Sequence, residues 1–275
     1  MPGITGFNSI QFNLPAKVRN SGTEMELSFA AFNSPQFGWT SSFNITIPKN
    51  KLLAFPNIES SSFANRYVIG KSLFTQRLYH LTGVDRQTGV YVFEYVDKDG
   101  KISYPNDLQP TKEVGRKFYG GFQNGFHFHG FQLDVLIQFV KQTGWNYLSQ
   151  FQRPGSLYIN QPVWVMGGWQ RPGQQSSIQQ YAENFRSPAA KAYSNAQASD
   201  ASTSDASFIR LKNVSLSYEL ENKWLKKVSL SSVRIFLEGQ NLLTRTKFLG
   251  MDPENQNAQI LPPLRVLAAG IHIGL

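Results

Sequence analysis

Apolar and polar residues alternate along several stretches of the chain, which is the pattern of β-strands with two different faces. Met25, Leu27 and Phe29 are separated by polar or small residues, and Asn33-Ser34-Pro35-Gln36 follows as a turn signal. The alternation then resumes with an apolar set at every second or fourth position: Phe37, Trp39, Phe43, Ile45, Ile47. This part of the chain therefore predicts a β-hairpin with one apolar and one polar face.

The same alternation returns in the middle of the chain and again at its end. Residues 118–128 and 133–139 form two further alternating runs, and residues 209–220, 233–237 and 267–275 form three more. The runs at residues 73–82 and 90–96 are weaker, and a change of phase near Lys212-Asn213 predicts a β-bulge. Together these runs predict an all-β, antiparallel protein with about eight long strands.

Residues 144–207 lack this alternation and are rich in Gln, Ser, Ala, Asn and Gly. A stretch of this length without regular structure usually marks a functional loop. Several aromatic residues are spread through it, including Tyr158, Trp164, Trp169 and Tyr181. Two interpretations stay open: the rings pack the loop on itself, or they offer a rigid surface to a ligand or partner protein.

Composition narrows the class of protein. Aromatic residues reach 13%, charged residues only 16%, and no run of about 18 apolar residues exists, which excludes a transmembrane helix. Transmembrane β-barrels share this composition, because they place aromatic girdles and few charges on the lipid side, and so do extracellular β-rich binding domains. Cysteine is absent, which excludes disulfides and thiolate chemistry. The net charge is +9, but the basic residues are scattered, so no nucleic-acid partner is expected.

The polar residues do not form a recognisable catalytic or metal site. His127 and His129 are expected on one face of a strand, yet no third ligand follows at a useful spacing, so we expect no metal and no cofactor. Asp134 and Glu238 lie on polar faces without a carboxylate partner. The sequence also lacks a Gly-x-Ser-x-Gly elbow and a His-Glu-x-x-His helix. These features predict that the protein is not an enzyme.

Several segments, taken in their order along the chain, resemble the C-terminal barrel of the SusC/RagA family of TonB-linked outer-membrane proteins. The segments that carry the resemblance cover nearly the whole chain: 18–24, 43–45, 83–85, 118–124, 210–218, 223–228, 232–236, 239–244, 248–254 and 262–265. Among them are Arg210-Leu211-Lys212-Asn213-Val214, Gly239-Gln240-Asn241-Leu242 and Phe248-Leu249-Gly250-Met251-Asp252-Pro253-Glu254. The match is specific because these segments occur in one order.

The resemblance implies a fold, a location and a role. About eight strands would be the last third of a barrel of about 22 strands. Residues 1–275 would be the C-terminal portion, without signal peptide, plug or TonB box, and residues 144–207 a long extracellular loop. The parent would import glycans or peptides across the cell outer membrane, contacting TonB through its N-terminal part and a SusD-like lipoprotein as a lid. Unlike typical outer-membrane barrels, this chain ends in a non-aromatic residue, Leu275.

The alternation also predicts which side chains face lipid. We expect one set to face lipid: Trp39, Phe43, Ile45, Val135, Ile137 and Ile271. We expect the other set to face the barrel lumen: Asn44, Gln123, His127, Asp134, Gln138 and His272. Two alternatives remain at this point, an autonomous small outer-membrane barrel of porin or adhesin type, and a soluble secreted carbohydrate-binding β-protein.

Overall fold

The structure, a computed structural model, describes residues 13–156, 159–225 and 230–275. These ranges contain two α-helices, α1 (Pro188–Gln197) and α2 (Asn222–Leu225). No helix in these ranges is long and apolar enough to cross a membrane. The strands are β1 (Lys17–Asn33), β2 (Phe37–Ala54), β3 (Thr75–Leu78), β4 (Leu81–Val84), β5 (Tyr91–Phe93), β6 (Gln109–Glu113), β7 (Gly115–Phe128), β8 (Phe131–Trp145), β9 (Thr203–Asp205), β10 (Phe208–Glu219), β11 (Ser232–Thr246) and β12 (Val266–Gly274).

One antiparallel sheet of eight strands forms the bulk of the molecule. Its order is β1-β2-β7-β8-β10-β11-β12, and the short strand β9 adds to the end of β8. We call this sheet the wall. It confirms the predicted all-β antiparallel class. Within the described residues β1 and β12 lie at opposite edges of the wall and do not pair with each other, so the sheet remains open.

Details of the wall agree with the alternation, with one exception. The register shifts between Leu211 and Asn213 on both sides of β10, which confirms the predicted bulge. The prediction of one strand over residues 73–82 is wrong, because β3 and β4 divide this range, whereas the short extended run predicted at residues 90–96 contains β5. These residues form β3, β4 and β5, three or four residues each, in two separate two-stranded sheets. Their weak alternation reflects packing in a loop rather than membership of the wall.

The connections between wall strands differ sharply at the two ends. Residues 34–36, 129–130 and 220–231 connect strands at one end, which we call the turn end. Residues 55–114, 146–207 and 247–265 connect strands at the other end, the loop end. Because consecutive strands are antiparallel, the connections must alternate between the ends. The sequence predicted one long loop, whereas the loop end carries two long connections and a third of intermediate length.

A shared hydrophobic core joins the two longest connections. Residues 55–114 contribute Tyr79, Tyr91, Phe93 and Leu108, and residues 146–207 contribute a second set on α1 and the segment after β8: Leu148, Ala192, Tyr193 and Ala196. All of these side chains are buried. We call the two connections together the loop assembly. It packs as a small folded unit on the end of the wall.

Candidate functional site

The strand register gathers the polar residues of the wall on one face. Asn44 pairs with Gly121, which pairs with Gln138 in the same row. Residues paired across antiparallel strands share a face, as do alternate residues along a strand. These relations place all six residues predicted for the lumen on this polar face: Asn44, Gln123, His127, Asp134, Gln138 and His272. The wall therefore presents one continuous polar surface.

The prediction that His127 and His129 share the polar face is wrong. β7 ends at Phe128, and His129 lies in the following turn with φ 44° and its ring edge-on to Phe128 at 4.5 Å. It does not share a face with His127, because the chain leaves the extended conformation at His129. In the described ranges no group of three His, Asp or Glu side chains could hold a metal ion.

The opposite face of the wall is apolar and exposed. The register places six predicted residues on it: Trp39, Phe43, Ile45, Val135, Ile137 and Ile271. The Phe43 and Phe139 rings stack at 5.6 Å over Gly120, where a Cβ atom would come within 2.6 Å of the Phe139 ring. Leu27 is 56% exposed and Ile271 is 62% exposed. A contiguous apolar surface of this kind marks contact with an apolar environment or a partner.

Backbone hydrogen bonds fasten the two halves of the loop assembly to each other. The Tyr79 N–H donates to the Ala198 carbonyl at 3.1 Å, and the Asp200 N–H donates to the Tyr79 carbonyl at 2.9 Å. His80 Nδ1 lies 2.6 Å from Asp200 Oδ2. Gln179 is completely buried, and its side-chain oxygen accepts from the Tyr91 N–H at 3.3 Å across the two connections. Its amide nitrogen donates to the Ala189 carbonyl at 2.6 Å within its own connection. Polar groups buried without partners would destabilise the assembly, so these bonds fix its geometry.

A buried arginine fastens the β11–β12 connection to the polar face. Arg210 is 1% exposed, and its guanidinium contacts Asp252 and Glu254 at 2.5 Å each. Its Nε donates to the Thr244 hydroxyl at 2.9 Å, and its Cζ lies 5.1 Å from the centre of the Phe208 ring. This set of contacts, the Arg210 clamp, satisfies a charge that would otherwise be costly to bury. It holds residues 252–254 against the wall.

The predicted aromatic residues of the second connection have different environments. The Trp169 indole donates to the Arg86 carbonyl at 3.1 Å and lies against Gly89, where a Cβ atom would be 2.2 Å from the ring. Trp169 therefore packs the two connections together. Tyr181 is 50% exposed and donates its hydroxyl to the Val165 carbonyl at 3.0 Å. Tyr158 lies outside the described residues.

Trp164 belongs to an aromatic groove between the second connection and the β11–β12 connection. Its ring lies 4.5 Å from that of Tyr147, and Phe151, Phe248 and Met251 line the same groove of about 260 Å³. Asn146, Gln150, Gln256 and Asn257 also line the groove, and their side-chain amides form hydrogen bonds within the protein. Burial raises the pKa of Tyr147, so its hydroxyl stays neutral. Aromatic faces that line a groove can stack on flat or apolar parts of an organic ligand.

Sequence reasoning did not find the groove partners or the clamp. Tyr147 is far from Phe248 and Met251 in the chain, and only tertiary folding joins it to them. One local signal was available for α1. Ser187 caps the helix by accepting from the Ala190 N–H, and Pro188 occupies the first helical position. This Ser-Pro start followed by alanines would have predicted a helix inside residues 144–207.

Comparison with known proteins shows which proteins this chain is similar to. No family model matches the chain. It is 25% identical over 281 residues to TonB-dependent receptor P3 of Formosa agariphila, a match that covers 92% of this chain and 27% of that protein. The sequence identity is modest, so the solved structures provide an independent comparison of the fold.

The structural matches to three solved structures of RagAB extend over 100% of this chain. The peptide importer in its closed-closed state has a TM-score of 0.77 at 22% identity, and in its open-open state 0.75 at 21% identity. The RagAB peptide transporter has a TM-score of 0.73 at 22% identity. This chain spans less than a third of those chains, 30% and 31%. These relatives are receptors and transporters, in agreement with the prediction that the chain is not an enzyme. The resemblance found in the sequence is thereby confirmed: the chain is similar in sequence to part of a TonB-dependent receptor, and its wall has the fold of part of the RagAB chains. These relatives are outer-membrane proteins.

Proposed function

We propose that this chain supplies a segment of barrel wall and three extracellular connections to an importer of oligopeptides or oligosaccharides. Its apolar face contacts the lipid of the outer membrane, and its polar face lines the lumen. The observation that carries this proposal is the separation of faces across the entire wall, with all long connections at one end. Membrane barrels combine short periplasmic turns with long extracellular loops, which assigns the loop end to the cell exterior.

The two alternative functions fit the structure less well. An autonomous closed barrel would need β1 to pair with β12, and within the described residues these two edge strands do not pair with each other. A soluble β-sandwich would need a second layer over the apolar face, where Leu237 and Leu243 are 55% and 64% exposed. In a larger barrel both edges continue into neighbouring strands, and the apolar face is covered by lipid.

We place cargo recognition at the aromatic groove and on the exposed ring of Tyr181. The groove sits at the loop end, where material enters from outside, and Trp164 with Tyr147 provides rigid aromatic surface at low entropic cost. The SusD-like lipoprotein then covers the loop assembly as a lid. TonB acts through a part of the receptor that these residues do not include. Peptide cargo is favoured because the solved RagAB relatives are peptide importers.

Substitution in the groove tests this assignment. In the full-length receptor, Trp164→Ala should weaken binding of a labelled oligopeptide mixture by about fivefold to thirtyfold, since loss of one stacked ring costs about 1–2 kcal/mol. Val163→Ala is the matched control, because Val163 is adjacent and 80% exposed. A labelled oligosaccharide mixture, measured in parallel, distinguishes the two cargo classes. Unchanged binding of both mixtures to the Trp164→Ala receptor would reject the groove as the recognition site.

A further inference from the structure

Basic side chains occupy the loop-end border of the apolar face. On β2 the apolar series Phe43, Ile45 and Ile47 continues at the same phase into Lys49 and Lys51. On β1 the partner of Lys51 across the ladder is Arg19. Strand geometry therefore projects these charges from the same face as the apolar residues, directly beyond them.

These residues line one broad recess of about 520 Å³. Five basic side chains contribute to it from the apolar face and the adjoining loop, and we call them the basic belt: Arg19, Lys49, Lys51, Lys71 and Lys117. Arg116 also lines the recess, but it pairs with Gln142 on the polar face. All five belt residues are exposed, and Glu113 is the acidic side chain in the recess. Within the described part of the chain none of the five makes an ion pair with a carboxylate. The belt is thus a concentration of positive charge that the chain does not neutralise itself.

A second recess of about 520 Å³ continues the border along the wall. Phe118, Phe139 and Ile209 form an apolar floor, and Arg245 and Lys247 stand beside it. Lys141 also lines this recess, but it is paired with Asp205 at 2.9 Å. An apolar floor next to cations suits an amphipathic ligand with a hydrocarbon part and an anionic part.

The length of the apolar series on β2 matches the thickness of the apolar part of a bilayer, so the basic border lies at the level of the headgroups. The apolar series on β2 runs from Phe37 to Ile47. That is about 33 Å of strand and, at a tilt of about 40°, about 25 Å of membrane thickness, close to the apolar band of outer-membrane barrels. The turn end of the same face carries aromatic rings, with Phe131 and Tyr218 in contact at 4.5 Å. The two borders therefore meet chemically different surroundings.

We propose that the basic belt binds phosphate groups of lipid headgroups in the leaflet at the loop end, while the acyl chains lie along the apolar face. This proposal rests on the proposed function, because it requires the apolar face to contact lipid. Charge complementarity identifies the occupant. Arg and Lys are the side chains that recognise phosphate, and exposed cations at a membrane surface bind anionic headgroups.

The test uses the full-length receptor in neutral detergent and a fluorescent lipid A that carries its phosphates. The triple variant Lys49→Gln/Lys51→Gln/Lys117→Gln should bind this probe about 100-fold more weakly, from roughly fivefold per cation. The matched control Lys98→Gln/Lys101→Gln/Lys191→Gln removes the same charge from exposed lysines of the loop assembly and should leave binding unchanged. The dephosphorylated lipid should bind both variants and the parent equally weakly.

Each contrary outcome has a defined meaning. Equal loss in the belt and control variants, or no loss in the belt variant, would overturn the proposal. Displacement of the probe by inorganic phosphate at millimolar concentration would also overturn it, by showing a free-phosphate site. A spin label at Ile45 in the same preparations reports separately whether the apolar face meets lipid. Lipid contact at Ile45 with unchanged probe binding would remove the belt proposal and leave the proposed function intact.

Discussion

The wall and the loop assembly differ in whether their apolar side chains are exposed or buried. Every residue of β1 is exposed, and the wall as a whole leaves large apolar side chains uncovered. The loop assembly instead buries its own aromatic core together with Asp107 and Gln179, which are completely covered. The contrast shows where each region finds its stability. Under the proposed function the apolar face of the wall is covered by lipid, whereas the loop assembly supplies its own interior.

The Arg210 clamp lies where the two regions meet, and its loss should have the largest effect. Arg210→Ala leaves Asp252 buried without its partner, which typically costs about 3–5 kcal/mol. We expect residues 247–265 to detach from the wall and exchange their amide hydrogens much faster. Hydrogen exchange on the full-length receptor measures this. Arg234→Ala, an exposed position on the same face, is the control, and equal protection in both variants would contradict the clamp.

A charge on the apolar face should have the next largest effect. Ile137→Lys should destabilise the membrane-embedded receptor by about 2–4 kcal/mol, because Ile137 lies near the middle of the apolar series. Gln123→Lys is the matched control on the adjacent strand and the opposite face, and it should cost little. Thermal unfolding in lipid gives both values. Equal destabilisation by the two lysines would mean that the faces do not differ in environment.

Acid should loosen the loop assembly before it affects the wall. The backbone N–H groups of Ser103 and Val96 donate to Asp107 at 2.8 and 2.7 Å, and these bonds lower its pKa despite burial. A lowered folded-state pKa stabilises the fold above the unfolded value of about 3.9, and this contribution is lost as pH falls below it. Protease susceptibility of residues 94–108 should therefore rise below about pH 4.

The variant Asp107→Asn isolates this contribution. It keeps the shape of the side chain but removes the titrating group, so its protease susceptibility should be higher at neutral pH and should change less on acidification. The wall strands should remain protected in both proteins. If the parent and the variant show the same pH dependence, Asp107 is not the group that titrates.

The alternation of residues predicted the wall because membrane strands encode their two faces locally. Phe43, Ile45 and Asn44 reveal their sides through period two alone, and even the bulge after Leu211 shows as a change of phase. The family resemblance then supplied the location and the larger barrel. Neither source required any knowledge of contacts between distant residues.

The loop assembly and the groove escaped prediction for the opposite reason. Their strands are three to five residues long, too short for a clear period, and their key contacts join His80 to Asp200 or Tyr147 to Leu249. Such contacts depend on tertiary packing, which overrides local pattern. The aromatic residues were recognised, but Trp169 turned out to pack the assembly whereas Trp164 lines a groove.

Solvent accessibility at two adjacent residues of β2 shows directly whether one face of the wall meets lipid and the other meets water. Nitroxide labels at Ile45 and Asn44 in the full-length receptor, reconstituted in lipid, sit one residue apart on opposite faces. If the apolar face contacts lipid, the label at Ile45 is accessible to oxygen dissolved in the bilayer, and the label at Asn44 is accessible to a water-soluble relaxant. Accessibility of Ile45 to the water-soluble relaxant would contradict the account and favour a soluble β-protein.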